Sequence, residues 1–215
     1  MKLHSGLEHF HSMRKELDNA YFSLRDKSFF IERYLLPFVF VHINKTGGTS
    51  VARALGNRRR HRTARELEAE YGPLWKQKFR FSIVRNPWDR VVSHYHYRVM
   101  TNESGLAEDQ IAFRDWVKLA YGAEDPKYCD RPKQFGAQWN WLSDQSGNCN
   151  VDYIMRFENL EEDFITLCSK LNRRASLPHL NRSNRGDYRS YFDSETKEII
   201  AARFRVDLEK FGYEF

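Results

Sequence analysis

The 215-residue chain has no apolar run long enough to cross a bilayer. Its longest, Leu35 to Ile43, contains Pro37 and falls far short of the ~20 residues a transmembrane helix requires. The first ten residues, from Met1 to Phe10, lack the apolar core of a secretory signal. Cysteine is scarce and odd in number: Cys129, Cys149 and Cys168 form no C-x-x-C pair, which argues for reduced thiols and against both a disulfide framework and a zinc site. The histidines contain no H-E-x-x-H pair, so no metal is expected. Neither common nucleotide loop occurs, because G-x-x-x-x-G-K-[ST] and G-x-G-x-x-G are both missing. Repeats and low-complexity segments are absent too. These absences lead to the expectation of a cytoplasmic protein with a single domain over residues 1–215.

What is present suits a folded α/β domain. Hydrophobic residues make up 41% of the chain and aromatics 15%, enough for a substantial core in 25.7 kDa. The net charge of +6 favours an anionic ligand. The run Arg58-Arg-Arg-His-Arg62 raises nucleic acid as a rival partner, but such runs are commonly solvated surface, and no nucleic-acid partner is expected.

Phe38 to Ile43 forms a short apolar strand pattern, followed by Asn44-Lys-Thr-Gly-Gly-Thr-Ser50 and a helix-compatible stretch to Leu55. Strand, glycine-containing loop and helix together direct backbone N–H groups at an anion. Gly47 and Gly48 let the backbone approach a ligand. Lys45 adds a point charge, while Thr46, Thr49 and Ser50 add hydroxyls. A second strand, Phe79 to Val84, runs into Arg85-Asn-Pro-Trp-Asp-Arg90, with Pro87 suited to the first turn of a helix that carries Ser93.

The Lys45-Thr-Gly-Gly-Thr-Ser50 loop resembles the 5′-phosphosulfate loop of sulfotransferases that use 3′-phosphoadenosine 5′-phosphosulfate (PAPS). Arg85-Asn-Pro-Trp-Asp-Arg-Val-Val-Ser-His-Tyr95 resembles their 3′-phosphate segment, R-[ND]-P-x-x-R-x-x-S-x-Y. The form of both is similar to the carbohydrate (Golgi-type) branch and its bacterial relatives, and the similarity extends to Phe211-Gly-Tyr-Glu-Phe215. Residues 1–35 lie outside it as an N-terminal helical extension, leaving 36–215 as the catalytic core. Asn44 departs from the pattern, since the family usually has Pro there; Asn restores an N–H and loosens φ.

The resemblance implies a three-layer, P-loop-like α/β fold, a central parallel sheet with helices on both faces. It implies sulfuryl transfer from PAPS to a hydroxyl of a glycan or glycoconjugate, with no metal. Lys45 would neutralise the leaving oxygen, Lys45 to Ser50 would hold the 5′-phosphate, and Arg85 and Ser93 the 3′-phosphate. Arg182, with Arg185, would close over the nucleotide. The family's base commonly comes from the region between the two motifs, which makes His61 the first choice, with His42 and His94 as competitors. Two other readings remain at this point: a nucleotide-dependent small-molecule kinase, and a sulfotransferase-like binding protein without turnover.

Helical spacing places further helices at residues 5–28, behind the Thr63-Ala-Arg-Glu66 capping box, from Phe113 to Tyr121, from Leu160 to Leu171, and from Asp193 to Phe211. Val151 to Phe157 is expected as a short strand. Residues 99–110 and 122–149 read as long surface loops.

Overall fold

Phe38-Val-Phe-Val41 is buried along its whole length, the pattern of a strand covered on both faces. In the computed structural model, which describes residues 29–57, 60–178 and 186–215, it is the first strand of a parallel sheet. The strands are β1 (Phe38–Val41), β2 (Phe79–Val84) and β3 (Tyr153–Arg156), in the order β1-β2-β3. Register pairs Val41 with Ser82 and Val84 with Arg156. The helices are α1 (Gly48–Leu55), α2 (Ala64–Tyr71), α3 (Pro87–Met100), α4 (Phe113–Val117), α5 (Trp139–Leu142), α6 (Leu160–Lys170), α7 (Ser194–Arg203) and α8 (Arg205–Phe211).

Strand alternation decides which helix packs where. Phe38, Phe40, Phe81, Ile83 and Met155 join Val51 and Leu55 of α1 and Phe164 and Leu167 of α6. Val39, Val41 and Val84 join Leu67 and Tyr71 of α2, Trp141 of α5 and Phe211 of α8. The result is the expected three-layer α/β arrangement, with helices on both faces of a parallel sheet. A third cluster, with Trp88 and Val92 of α3, Trp116 of α4, Phe135, and Ile200 of α7, lies among the helices and fixes α3.

Local signals explain the helix ends. Thr63 forms the capping box: its hydroxyl accepts from the Glu66 amide at 3.2 Å, and its own amide donates to Glu66 Oε2 at 2.7 Å. Asp193 caps α7 with Thr196. The single helix expected from Asp193 to Phe211 is instead two, because Phe204 leaves helical geometry at φ −108°, ψ 23° while its ring fills the core.

The segments expected as surface loops are mostly exposed, but Leu106 of the first and Tyr128, Phe135, Gln138, Trp141 and Leu142 of the second are buried, so large side chains anchor parts of these stretches in the interior. Residues 31–35 form one wide turn in which buried Glu32 pairs with Arg60 at 3.3 Å. The helix expected over residues 5–28 lies outside the described residues. Among the described residues, no helix is long and apolar enough to cross a membrane.

Candidate functional site

Because β1 and β2 are parallel neighbours, the loops leaving their C-terminal ends emerge side by side. The first loop is tightly folded. Lys45 (φ 66°) and Gly47 (φ 80°) both occupy left-handed backbone, an uncommon conformation for a lysine and one of the ways a functional loop stores strain. Between them Thr46 is fully buried, and its hydroxyl donates to the Ile43 carbonyl at 3.0 Å. The Thr46 hydroxyl, expected to face a ligand, is thus committed inside the loop. Thr49 and Ser50 are half-buried in the first turn of α1, where the Ser50 amide donates to the Gly47 carbonyl at 3.2 Å.

The two glycines serve the protein's own packing. A Cβ on Gly48 would lie 2.3 Å from His42 Cδ2, and one on Gly47 would lie 2.9 Å from the Phe157 ring. The loop is pressed onto its own strand on one side and onto Phe157 on the other. Asn44, expected to loosen the loop, does the opposite. Its Oδ1 accepts from Arg90 Nη2 at 3.1 Å, its carbonyl accepts from Arg90 Nε at 3.3 Å, and its Nδ2 donates to the Gln134 carbonyl at 3.2 Å. Arg90 is itself buried, so a charged fork clamps the start of the loop.

Arg85, at the end of β2, ties the second segment to the first. Its Nη1 donates to the Lys45 carbonyl at 3.1 Å, its Nε and Nη2 reach Asp89 Oδ2 at 2.8 and 2.7 Å, and its guanidinium lies 3.8 Å from the Phe157 ring centre. The Arg85 backbone is held by the Gln138 side chain, which accepts from the amide at 2.9 Å and donates to the carbonyl at 2.8 Å. Asp207 anchors Gln138 in turn, accepting from the amides of Gln138 and Trp139 at 2.8 Å each. Burial pushes the Asp207 carboxyl above its ordinary pKa, against these donors. Asn86 caps α3 by accepting from the Trp88 amide at 3.1 Å, and its Nδ2 donates to the Glu214 carbonyl at 2.8 Å. From Arg85 the i+4 spacing runs through Asp89 and Ser93 to Tyr97. The Lys45 ammonium sits 4.0 Å from the Tyr97 ring centre, so Lys45, Arg85 and the Ser93 face of α3 converge.

The histidines separate by environment. His61 Nδ1 lies 3.0 Å from the His42 carbonyl. A carbonyl only accepts, so Nδ1 carries the proton and, in the neutral ring, Nε2 carries the lone pair. His61 is exposed, as a proton acceptor for an entering substrate must be. His42 is buried and stacked on Phe40, with ring centres 5.0 Å apart. His94 is buried among Tyr121, Trp116 and Phe135. Burial, reinforced by Arg90, Arg98, Lys45 and Arg131, holds its pKa well below the usual histidine range.

Beside His61 lies a cleft of about 280 Å³ whose lining includes Thr63, Lys133, Asn140, Trp141 and Arg203. Lys133 connects it to His61, donating to the His61 carbonyl at 3.1 Å while pairing with Glu66 at 3.0 Å. Arg182 and Arg185 lie outside the described residues. Sequence reasoning missed Gln138, Asp207 and Tyr97: a lone glutamine, a lone aspartate on a helix and an extra tyrosine beyond a motif carry no local pattern.

A solved bacterial sulfotransferase, from Alicyclobacillus acidocaldarius, is 18% identical over 81% of this chain and 76% of its own, with a TM-score of 0.38, a likeness too loose to bear on the site. No curated protein matches the chain. The model of the sulfotransferase family, however, matches residues 27–214, and the chain belongs to that family.

Proposed function

We propose that the protein transfers the sulfuryl group of PAPS to a hydroxyl of a carbohydrate or glycoconjugate by in-line displacement. The observation that carries this reading is the 3.1 Å bond from the Arg85 guanidinium to the Lys45 carbonyl, which makes one site of two anion-binding segments. The donor set fits a bisphosphorylated nucleotide: amides from Gly47 to Thr49 with the hydroxyls of Thr49 and Ser50 for the 5′-phosphosulfate, and Arg85 and Ser93 for the 3′-phosphate. The acceptor oxygen forms its bond to sulfur as the bond from sulfur to the 5′-phosphate oxygen breaks. Lys45 neutralises the charge growing on the leaving oxygen, and His61 Nε2 takes the acceptor's proton. The cleft next to His61 supports an acceptor rich in hydroxyls, since Thr63, Lys133, Asn140 and Arg203 supply hydrogen-bonding groups beside the indole of Trp141.

Thermal unfolding with 3′,5′-adenosine bisphosphate, ADP and ATP tests the donor. At a hundred times its dissociation constant the right ligand stabilises by about 2.7 kcal/mol. For a chain of this length that is roughly 5–10 °C. The bisphosphate alone is expected to produce the shift, and Ser93→Ala to weaken it. Ser93 is the better probe because Arg85 also braces the loops. An equal response to ATP overturns the donor assignment. Lys45→Ala is expected to lower turnover by about 10²–10³-fold, and His61→Ala by about 10²–10⁴-fold.

A further inference from the structure

The family pattern ends at Tyr95, yet Tyr95 packs against the core. Its hydroxyl donates to the Ile111 carbonyl at 2.7 Å, and its ring packs against Phe113 and Trp116. The tyrosine that meets the loop is Tyr97, two residues on and 39% exposed. Lys45 is fixed at one end, with its backbone left-handed at φ 66° and its carbonyl held by Arg85. Its side chain has four rotatable bonds, and a freely moving ammonium would seldom point at one place. The Tyr97 ring, 4.0 Å away and well within the ~6 Å reach of a cation–π contact, gives that end a resting place.

Helix geometry gives the contact its direction. The Arg85 guanidinium reaches forward to Asp89, while helical side chains lean back toward the N-terminus, carrying the Tyr97 ring over the preceding turn. From Asp89 to Tyr97 the helix α3 rises two turns, about 12 Å, with Ser93 midway between them. We propose that Tyr97 is the positioning residue for Lys45, its ring holding the ammonium across Ser93 at the junction of the two anion-binding segments. The proposal rests on the sulfuryl-transfer reading above. Tyr97 touches no reacting atom in it; the ring narrows the lysine's positions before the charge on the leaving oxygen develops.

The test uses the full chain carrying Tyr97→Leu or Tyr97→Phe. With lysine labelled at Cε, the Lys45 methylene protons are expected to be shifted upfield by the ring in the wild type and in Tyr97→Phe. In Tyr97→Leu they should return to ordinary positions; the signal lost in Lys45→Ala identifies them. Release of sulfate from PAPS in single turnovers, with water as acceptor, should slow about two- to fivefold in Tyr97→Leu. Affinity for 3′,5′-adenosine bisphosphate should not change, and Tyr97→Phe should behave as wild type. An unshifted Lys45 signal in the wild type overturns the proposal. So does a Tyr97→Leu enzyme with an unchanged rate, or a Tyr97→Phe enzyme as slow as Tyr97→Leu. A shifted signal with no binding of 3′,5′-adenosine bisphosphate by any form overturns the sulfuryl-transfer reading while leaving the Lys45–Tyr97 pairing in place.

Discussion

Gln138 offers the sharpest test of how the site is held. It is fully buried, and its side-chain amide pairs with both the N–H and the C=O of Arg85, at 2.9 and 2.8 Å, much as a neighbouring strand would. Gln138→Met nearly conserves volume, so the change isolates the hydrogen bonds from any cavity. It strands one buried donor and one buried acceptor at the end of β2. Each unsatisfied group costs about 1–3 kcal/mol, giving roughly 3 kcal/mol in total. For a chain of this size that lowers the melting temperature by about 10 °C. Urea unfolding followed by tryptophan fluorescence measures it, with Met100→Ala as the control, since Met100 is 75% exposed and should stay within about 0.5 kcal/mol. A loss below about 1 kcal/mol would refute the reasoning: the Arg85 backbone would then find other partners, and the bracing of the Arg85 segment would not depend on Gln138.

Two further perturbations follow from the packing. The native pKa of His94 lies well below its unfolded value, so the unfolded chain binds the extra proton first. Stability should be intact above pH ~6.5 and decline as pH falls below it, with a slope of up to about 1.4 kcal/mol per pH unit from this residue. Urea midpoints at pH 7, 6 and 5 should flatten in His94→Gln, and equal slopes in both proteins would sink the assignment. Gly48→Ala places a methyl group 2.3 Å from His42, and the overpacking should destabilise by about 1–3 kcal/mol and abolish the thermal shift with 3′,5′-adenosine bisphosphate. A variant that keeps both would mean the loop can lift off β1.

Much of the architecture is legible locally. The Phe38 and Phe79 strands, the Thr63 capping box and Pro87 opening a helix are short-range features, and each appears where its own residues place it. Features governed by distant partners are not. The stretch from 122 to 149 is mostly exposed, yet its middle is drawn inward at Phe135 and Trp141, and α7 separates from α8 because the buried Phe204 ring overrides helical spacing. The reason for the glycines was also hidden. Nothing in Gly-Gly reveals that His42 and Phe157 occupy the missing Cβ positions.

The sequence by itself determined the family, the strand–loop–helix that presents Lys45 and its amides, and the second segment with Arg85 and Ser93, because these lie in contiguous motifs whose spacing is their geometry. Tertiary structure alone decided that Arg85 bonds the Lys45 carbonyl, that Arg90 clamps Asn44, that Gln138 and Asp207 hold Arg85 from behind, and that Lys45 rests on Tyr97. The physical reason is separation along the chain. Arg85 and Gln138 stand 53 residues apart and Lys45 and Arg85 40 apart, so no local pattern links them until the parallel sheet sets the ends of β1 and β2 side by side.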